Sequence, residues 1–482
     1  MKIAVYSHSI PPAVDGVSRR FTMVVHELIS AGHDVVLFTL EKNPELAIPE
    51  KERSRLRYVT MDSCFHPLYP SKRVAAPTFN NFLVTMDTLR RERPEVLHAT
   101  MDSLGILFGL AGRLLGVPVV GSIHTDLQTG LVAVGASALT RWLINWKEQM
   151  EGRLLDGMAT TSPSFKRKLG RQGILCDHVV KTGVRVNCFT PEARCAETRN
   201  RLTFGNPEGL LLVYVGRLAP EKDLDLLVSM CGSVKGVYLA LIGDGPLGGY
   251  LGSLHGPNKN QGGLYCVPSF LSHEELPRIY ASSDLHVSSS VFETLGNTVL
   301  EAHACGIPVV VPRAQGFIDT VTDKVDGFLF DGTRPAEGRR LLCKLRDDRN
   351  LCRTMGMNGR AKVLKQSPDL VTRDMVEWYK GNTTHKVSRC AVSISSVLAW
   401  SPHVCAVTAE ALFLTRSSFV HFQVRHGFGL HCLLRASRFG LTRACHNTRN
   451  MVGNSSFFNR VSNTYKALTN IPVEREARQP GR

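Results

Sequence analysis

The chain has 482 residues, 43% of them hydrophobic, more than one hydrophobic core takes in, so two or three domains are expected. Charged residues at 21% and aromatics at 7% are ordinary for a soluble globular protein. No run reaches the roughly 18 apolar residues of a membrane span, and the net charge of +16 is uneven, since residues 383–482 hold 13 Lys and Arg against 3 Asp and Glu and so carry +10 of it.

In chain order, the first 200 residues alternate short apolar runs with amphipathic stretches. KIAVYSH (2–8), DVVLFTL (34–40), EVLHAT (95–100), VPVVGSIHT (117–125), GMATTS (157–162) and HVVKTG (178–183) predict buried parallel strands, and Arg20–Ala31 and Leu104–Leu115 predict helices between them. This alternation points to a doubly wound α/β sheet. The pattern restarts with LLLVYVGR (210–217), VYLALIGDG (237–245), LYCVPSF (264–270), DLHVSSS (284–290), IPVVVPR (307–313) and GFLFD (327–331). The predicted organisation is two Rossmann-like domains facing across a cleft, 1–200 and 201–365, then a helix at 366–382 and a poorly ordered basic tail at 383–482. In open sheets of this kind ligands sit at the carboxyl ends of the strands.

The thirteen cysteines lie singly from Cys64 to Cys445 with no C-x-x-C pair, which argues against a zinc site or a disulfide framework and fits a reducing compartment. Met1 runs straight into the first strand without the apolar h-region of a secretory signal, so a cytoplasmic location is expected. The loop after that strand, SHSIPPAVDGVSRR, lacks the dinucleotide fingerprint, and no P-loop occurs, so an NAD-linked dehydrogenase finds no support. Gly16 either lets a ligand approach the backbone or is a plain loop glycine.

In GRLAPEKDLDLL, Arg217 lies at a strand end and Lys222 in the first turn of the predicted next helix, an arrangement that suits a diphosphate. The other reading pairs them with Glu221 and Asp223 at the surface. IGDGP (242–246) reads as a bland turn. The stretch FETLGNTVLEAHACG then sets two carboxylates eight residues apart among apolar and small residues. Glu293 falls in a strand-to-helix loop, and Glu301 about one turn into a helix closed by Gly306. The amides of Leu295, Gly296 and Asn297 point out of that helix. A buried carboxylate needs donors, and sugar hydroxyls supply them; a helix-surface glutamate is the plainer alternative.

At these residues the sequence resembles family 4 retaining glycosyltransferases of the GT-B fold. GRLAPEKDLDLL, LIGDGP, FLSHEELPRIYASSDLHVSSSVFETLGNTVLEAHACGIPVVVPRAQGFIDTV and DGFLF fall in the order of that family's donor domain, with its E-x7-E motif on Glu293 and Glu301. PPAVDGVSRR resembles the family's N-terminal loop, with Asp15 where a glycine is common, and GSIHTD the segment that carries a histidine near the reacting sugar. The resemblance covers about residues 1–380. It implies transfer of a hexosyl group from a nucleoside-diphosphate sugar to a hydroxyl of a lipid or glycan acceptor, with no metal and no other cofactor. Arg217 and Lys222 would neutralise the diphosphate, with the Leu295–Asn297 amides near the phosphates. Glu301 would take the ribose hydroxyls and Glu293 those of the transferred sugar. His124 would face that sugar from the other domain; its plainer reading is a buried structural imidazole. A donor phosphate oxygen would help deprotonate the acceptor on the same face. A sugar-nucleotide-binding relative without activity is the second hypothesis, opposed by the full set of motif positions.

The sequence flavour is similar to the branch that glycosylates lipids, such as sulfoquinovosyl- and phosphatidylinositol-directed enzymes. The basic segment SFKRKLGRQG (164–173) then either meets an anionic membrane surface, making the protein peripheral to a membrane, or is a solvated face. No nucleic-acid partner is expected.

Overall fold

The computed structural model of the protein describes residues 1–13, 15–65, 73–133, 135–269 and 275–384. The tail assigned to 383–482 falls outside the described residues from 385 onward.

Sixteen strands are present among the described residues. The first sheet takes β1 (Lys2–Ser7), β2 (Asp34–Thr39), β3 (Leu56–Thr60), β6 (Val96–Thr100), β7 (Val119–Ile123), β8 (Gly157–Thr160) and β9 (His178–Val179), in the order β3-β2-β1-β6-β7-β8-β9. All its pairings are parallel. A separate antiparallel ribbon joins β4 (Ser63–Phe65) and β5 (Arg73–Ala75). Strands buried on both faces read as continuous apolar runs, which is why β1, β6 and β7 stand out in the sequence. Edge strand β3, LRYVT, has no buried residue and does not.

The second sheet takes β10 (Leu210–Val215), β11 (Val237–Ile242), β12 (Gly256–Pro257), β13 (Gly263–Val267), β14 (Leu285–Val287), β15 (Val309–Pro312) and β16 (Gly327–Phe330), in the order β12-β13-β11-β10-β14-β15-β16. Only the short β12 runs antiparallel to its neighbour. Apolar clusters cover both faces of it, with Leu211, Val213 and Val299 on one and Leu210, Leu212 and Leu227 on the other.

After the second sheet the chain returns. The helix Pro368–Thr384 seats Met375, Val376, Trp378 and Tyr379 in one core with Ile3, Val5, Phe21 and Val25 of the first sheet and its first helix, Gly16–Ser30. Among the described residues no helix is long and apolar enough to cross a membrane.

Candidate active site

The loop leaving β1 ends on Asp15, whose carboxylate caps the first helix by accepting from the amides of Val17 and Ser18 and takes a hydrogen bond from Ser9 Oγ at 2.9 Å. An aspartate here satisfies helix amides that a glycine leaves open. Gly16 follows, and a Cβ on it would stand 3.3 Å from Asn297 Nδ2. The first helix therefore starts against the start of the helix Asn297–Ala304.

On the second sheet, β10 gives way to Gly216, Arg217 and a 3-10 turn, Pro220–Lys222. The expectation that Lys222 lies in a helix is corrected: Asp223 is left-handed at φ +50° and separates that turn from the helix starting at Leu224. Freed from the helix, Lys222 Nζ reaches Glu293 Oε2 at 3.4 Å and the carbonyl of Phe292 at 3.3 Å. Arg217 pairs with Glu221 at 3.2 Å. The IGDGP turn has a steric reason, since a Cβ on Gly243 or Gly245 would collide with the carbonyls of Gly216 and Leu218 at 1.9 and 2.4 Å.

Glu293 is held at its backbone by Gln315, whose Oε1 accepts from its N–H at 3.0 Å, and by Gly316, which donates to its carbonyl at 2.7 Å. The close approach requires glycine at 316, where a Cβ would sit 2.4 Å from Leu295 N. The expected fan of three free amides is also corrected. The helix begins at Asn297, Gly296 is its left-handed N-cap, and the Gly296 N–H lies 3.3 Å from Glu293 Oε1. Gly306 follows the C-cap Cys305 rather than forming it.

Glu301 is buried, at 7% exposure, and both its oxygens have protein partners. Arg19 Nη1 donates to one at 2.9 Å and Tyr280 Oη to the other at 3.0 Å. Burial and the Glu301 carboxylate hold the Tyr280 phenol well above its ordinary range. It is therefore not an exposed helix-surface glutamate.

His124 is half-buried. Its Nε2 lies 2.7 Å from Ser122 Oγ and its Nδ1 3.5 Å from Arg20 Nη1. Burial, with Arg20 beside it, holds the imidazole well below its usual range. Its carbonyl accepts from Thr294 Oγ1 at 2.8 Å, and Thr161 Oγ1 donates to the Thr294 carbonyl at 3.1 Å. Gln315 Nε2 closes the same seam on Asp126 Oδ2 at 2.9 Å. The loop carrying Glu293 and the strand end carrying His124 are thus in direct contact.

Eight of the nine sequence-selected residues fall in the loops at strand carboxyl ends or at helix starts, and Glu301 lies one turn into the helix Asn297–Ala304. Arg19, Tyr280, Thr294 and Gln315 were not selected. Arg19 stood inside the quoted PPAVDGVSRR segment but has its partner 282 positions away. In the basic segment, Lys168 is taken by Asp126 and Thr129, and Lys166 by the carbonyl of Asp177 at 2.9 Å. Arg167 and Arg171 remain exposed.

Comparison with known proteins agrees with the fold. The family model for Glycosyltransferase Family 4 matches residues 14–187, and that for glycosyl transferases group 1 matches residues 199–362. A GDP-mannose-dependent alpha-mannosyltransferase of Mycobacterium tuberculosis (strain CDC 1551 / Oshkosh) is 31% identical over 331 residues, 68% of this chain and 83% of that protein. The sulfoquinovosyl transferase of Arabidopsis thaliana is 30% identical over 359 residues, 72% and 66% of the two chains. Sucrose-phosphate synthase from Thermosynechococcus elongatus superposes with a TM-score of 0.63 at 20% identity, covering 79% of this chain and 98% of its own. With two parallel sheets meeting along this seam, the chain belongs to the family 4 glycosyltransferases of the GT-B fold and is a glycosyltransferase.

Proposed function

We propose that the protein moves a hexosyl group from a nucleoside-diphosphate sugar to a hydroxyl of a lipid or glycan acceptor, with retention of anomeric configuration and without a metal. The observation that carries this is the Glu293 carboxylate, which meets Lys222 Nζ at 3.4 Å through one oxygen and the Gly296 amide at 3.3 Å through the other, on a loop that touches the His124 carbonyl. It is a polar cluster in which one carboxylate holds an ammonium and a helix-start amide. In the reaction the C1–oxygen bond to the diphosphate breaks and negative charge grows on the leaving group. Lys222 and Arg217 are fixed cations placed to stabilise that charge, and this supports a metal-independent reaction.

The ribose hydroxyls take the place of Arg19 on Glu301, and Glu293 receives hydroxyls of the transferred sugar. His124 faces that sugar from the first sheet. The acceptor oxygen bonds to C1 on the face the diphosphate leaves, and its proton passes to a donor phosphate oxygen. The names of the relatives, a GDP-mannose-dependent enzyme and a sulfoquinovosyl transferase, support such a donor. A lipid acceptor is favoured by the apolar surface that follows His124. Leu127, Val132, Leu139 and Trp142 are all exposed, the last two by 59% and 60% and three residues apart on the helix Ala138–Leu154. Contiguous exposed apolar residues mark interaction surfaces.

The test is a melting-temperature panel with GDP, UDP and ADP, then transfer from the matching hexose donor with and without EDTA, with the product's anomeric configuration read by proton NMR. One nucleotide should raise the melting temperature, and turnover should survive EDTA. No stabilisation by any of the three, together with no turnover of any donor, overturns the reading.

A further inference from the structure

Behind His124 the first sheet carries an unbroken line of hydrogen bonds that reaches the returning helix. Tyr379 Oη lies 2.6 Å from His98 Nδ1, His98 Nε2 lies 2.7 Å from Ser122 Oγ, and Ser122 Oγ lies 2.7 Å from His124 Nε2. His98, Ser122 and Tyr379 are each at most 1% exposed, so no solvent competes for these bonds.

Arg20 gives the line a direction. Its guanidinium only donates, is anchored on the carbonyls of Val180 and Lys181, and faces His124 Nδ1. From that contact Nδ1 is assigned as the lone-pair nitrogen. The His124 proton is then on Nε2 and is donated to Ser122 Oγ. The Ser122 hydroxyl in turn donates to His98 Nε2, and His98 Nδ1–H donates to Tyr379 Oη. Burial and Arg20 also lower the His98 imidazole to about 3, so protonation does not reverse the line near neutral pH.

We propose that His98 and Tyr379 are positioning residues for glycosyl transfer, fixing one tautomer and one ring plane of His124 through Ser122. The returning helix thereby acts on the reaction as well as on the core, through a single oxygen atom. This rests on the reading of His124 as the residue that faces the transferred sugar.

The decisive variant is Tyr379→Phe, which removes only that oxygen. His98 Nδ1–H then has no acceptor; reversing the line removes that cost but sets His124 Nδ1–H against Arg20, so the two directions compete. Trp378→Phe is the control, because Trp378 packs against His98 with ring centroids 5.9 Å apart but donates to Asp177 at 2.8 Å instead of joining the line. Imidazole nitrogen NMR needs no donor. It should show His124 protonated on Nε2 in the unaltered protein and in Trp378→Phe, and a mixture of tautomers in Tyr379→Phe. With the donor chosen by the nucleotide panel, Tyr379→Phe should lower kcat about five- to tenfold, the worth of one hydrogen bond. Donor KM and the nucleotide-induced melting shift should stay unchanged.

Equal losses of kcat in Tyr379→Phe and Trp378→Phe with unchanged NMR overturn the proposal, since the helix is then only a brace. The two readings also fail separately. If His124→Ala keeps full turnover, the role of His124 is wrong. If His124→Ala is slow while Tyr379→Phe is not, only the positioning role is wrong.

Discussion

The two sides of the seam are built on opposite principles. In the loops of the second sheet Lys222, Glu293, Arg217 and Glu221 are charged and partly exposed, and they are paired at 3.4 Å (Lys222–Glu293) and 3.2 Å (Arg217–Glu221). Behind the half-buried His124 on the first sheet, Ser122, His98 and Tyr379 are neutral and buried, linked at 2.6–2.7 Å to one another and to His124. Loose ion pairs in partial solvent cost little to exchange, which suits a side that binds and releases a charged ligand. A buried polar line is costly to leave half-satisfied, which suits a side that keeps one geometry throughout.

The largest way to break this contrast is to remove the helix that ends the buried line. A chain terminated after Gln366 loses Met375, Val376, Trp378 and Tyr379 from the first core. Burying such a side chain is worth about 1.5–3 kcal/mol, so four of them approach the whole stability of a domain, about 5–15 kcal/mol. The shortened protein is expected to be insoluble or to lack a cooperative melting transition in calorimetry. A sharp transition would show that the first sheet folds without the helix.

The charged side should fail in rate and keep its fold. Lys222→Ala and Glu293→Ala each remove a charge-assisted hydrogen bond worth about 1.5–3 kcal/mol, so kcat/KM should fall about 10- to 100-fold. Glu293→Ala should act mostly on kcat and Glu301→Ala mostly on donor KM. Melting temperatures of the Lys222 and Glu293 variants should stay close to that of the unaltered protein. Steady-state kinetics of all three decide it, and unchanged donor kinetics in both glutamate variants would remove the two carboxylates from the site.

A smaller effect tests a charged pair that spans both sides, Arg19 with Glu301 at 2.9 Å. Arg19→Ala leaves Glu301 only its bond from Tyr280, so the free protein should melt a few degrees lower. If ribose hydroxyls replace Arg19, the nucleotide should restore that loss, and the nucleotide-induced shift should be larger than in the unaltered protein. An equal shift means that Arg19 stays on Glu301 when the nucleotide binds.

Lowering the pH should weaken the protein through buried imidazoles on both sheets. Burial holds His98 at about 3, His286 at about 3 and His303 at about 4, and holds His124 well below its usual range. A base depressed in the folded state contributes stability fully above its unfolded value near 6.5 and loses it as pH falls toward the folded value. Glu148 and Glu151, raised by burial to about 7, act in the opposite direction between about 4.5 and 7, and burial raises Glu27 and Asp223 as well. His98 and His286 are displaced further from their ordinary value, however, and His33 is lowered with them. The melting temperature should therefore fall between pH 6.5 and 5. A flat profile would mean that the buried imidazoles accept protons at little cost.

The same contrast explains what could be read from the residues alone. On the charged side the motifs themselves are local, since Arg217 to Lys222 and Glu293 to Glu301 are each one short segment, although the two meet across 71 positions. The error there was local: Lys222 was put in a helix because nothing in APEKDL announces a left-handed Asp223. The buried side is assembled at long range. His98 and Tyr379 are 281 positions apart, and each alone reads as an ordinary buried aromatic ring. In the basic segment at 164–173 the partner of Lys168 is equally hidden from the local sequence, because Asp126 lies 42 positions earlier on another strand end. Period and propensity record which face is buried, not which distant partner waits there.

The smallest expected effect belongs to the part of the chain that carries most of its charge. Among the described residues, every member of the four apolar cores lies before position 380, and so does every residue placed at the seam. The returning helix runs to Thr384, two residues past the boundary expected at 382, and its last turn is satisfied internally. Asn382 Nδ2 donates to the Trp378 carbonyl at 2.9 Å and Thr383 Oγ1 to that of Lys380 at 2.8 Å. Asn382 also packs on the start of β8, where a Cβ on Gly157 would stand 2.7 Å from its Oδ1, so a cut after 382 keeps that contact and, of these, loses only the Thr383 bond. A chain ended after Thr384 keeps all of these contacts and sheds about +10 of charge. Its melting temperature and its turnover on a soluble acceptor should match those of the full chain. Recovery on anionic vesicles is the one property expected to drop, by about 1 kcal/mol for each basic side chain that reached the surface. A lower melting temperature in the shortened protein would mean that residues beyond 384 stabilise the fold, and the division between a sufficient core and an accessory tail would have to move.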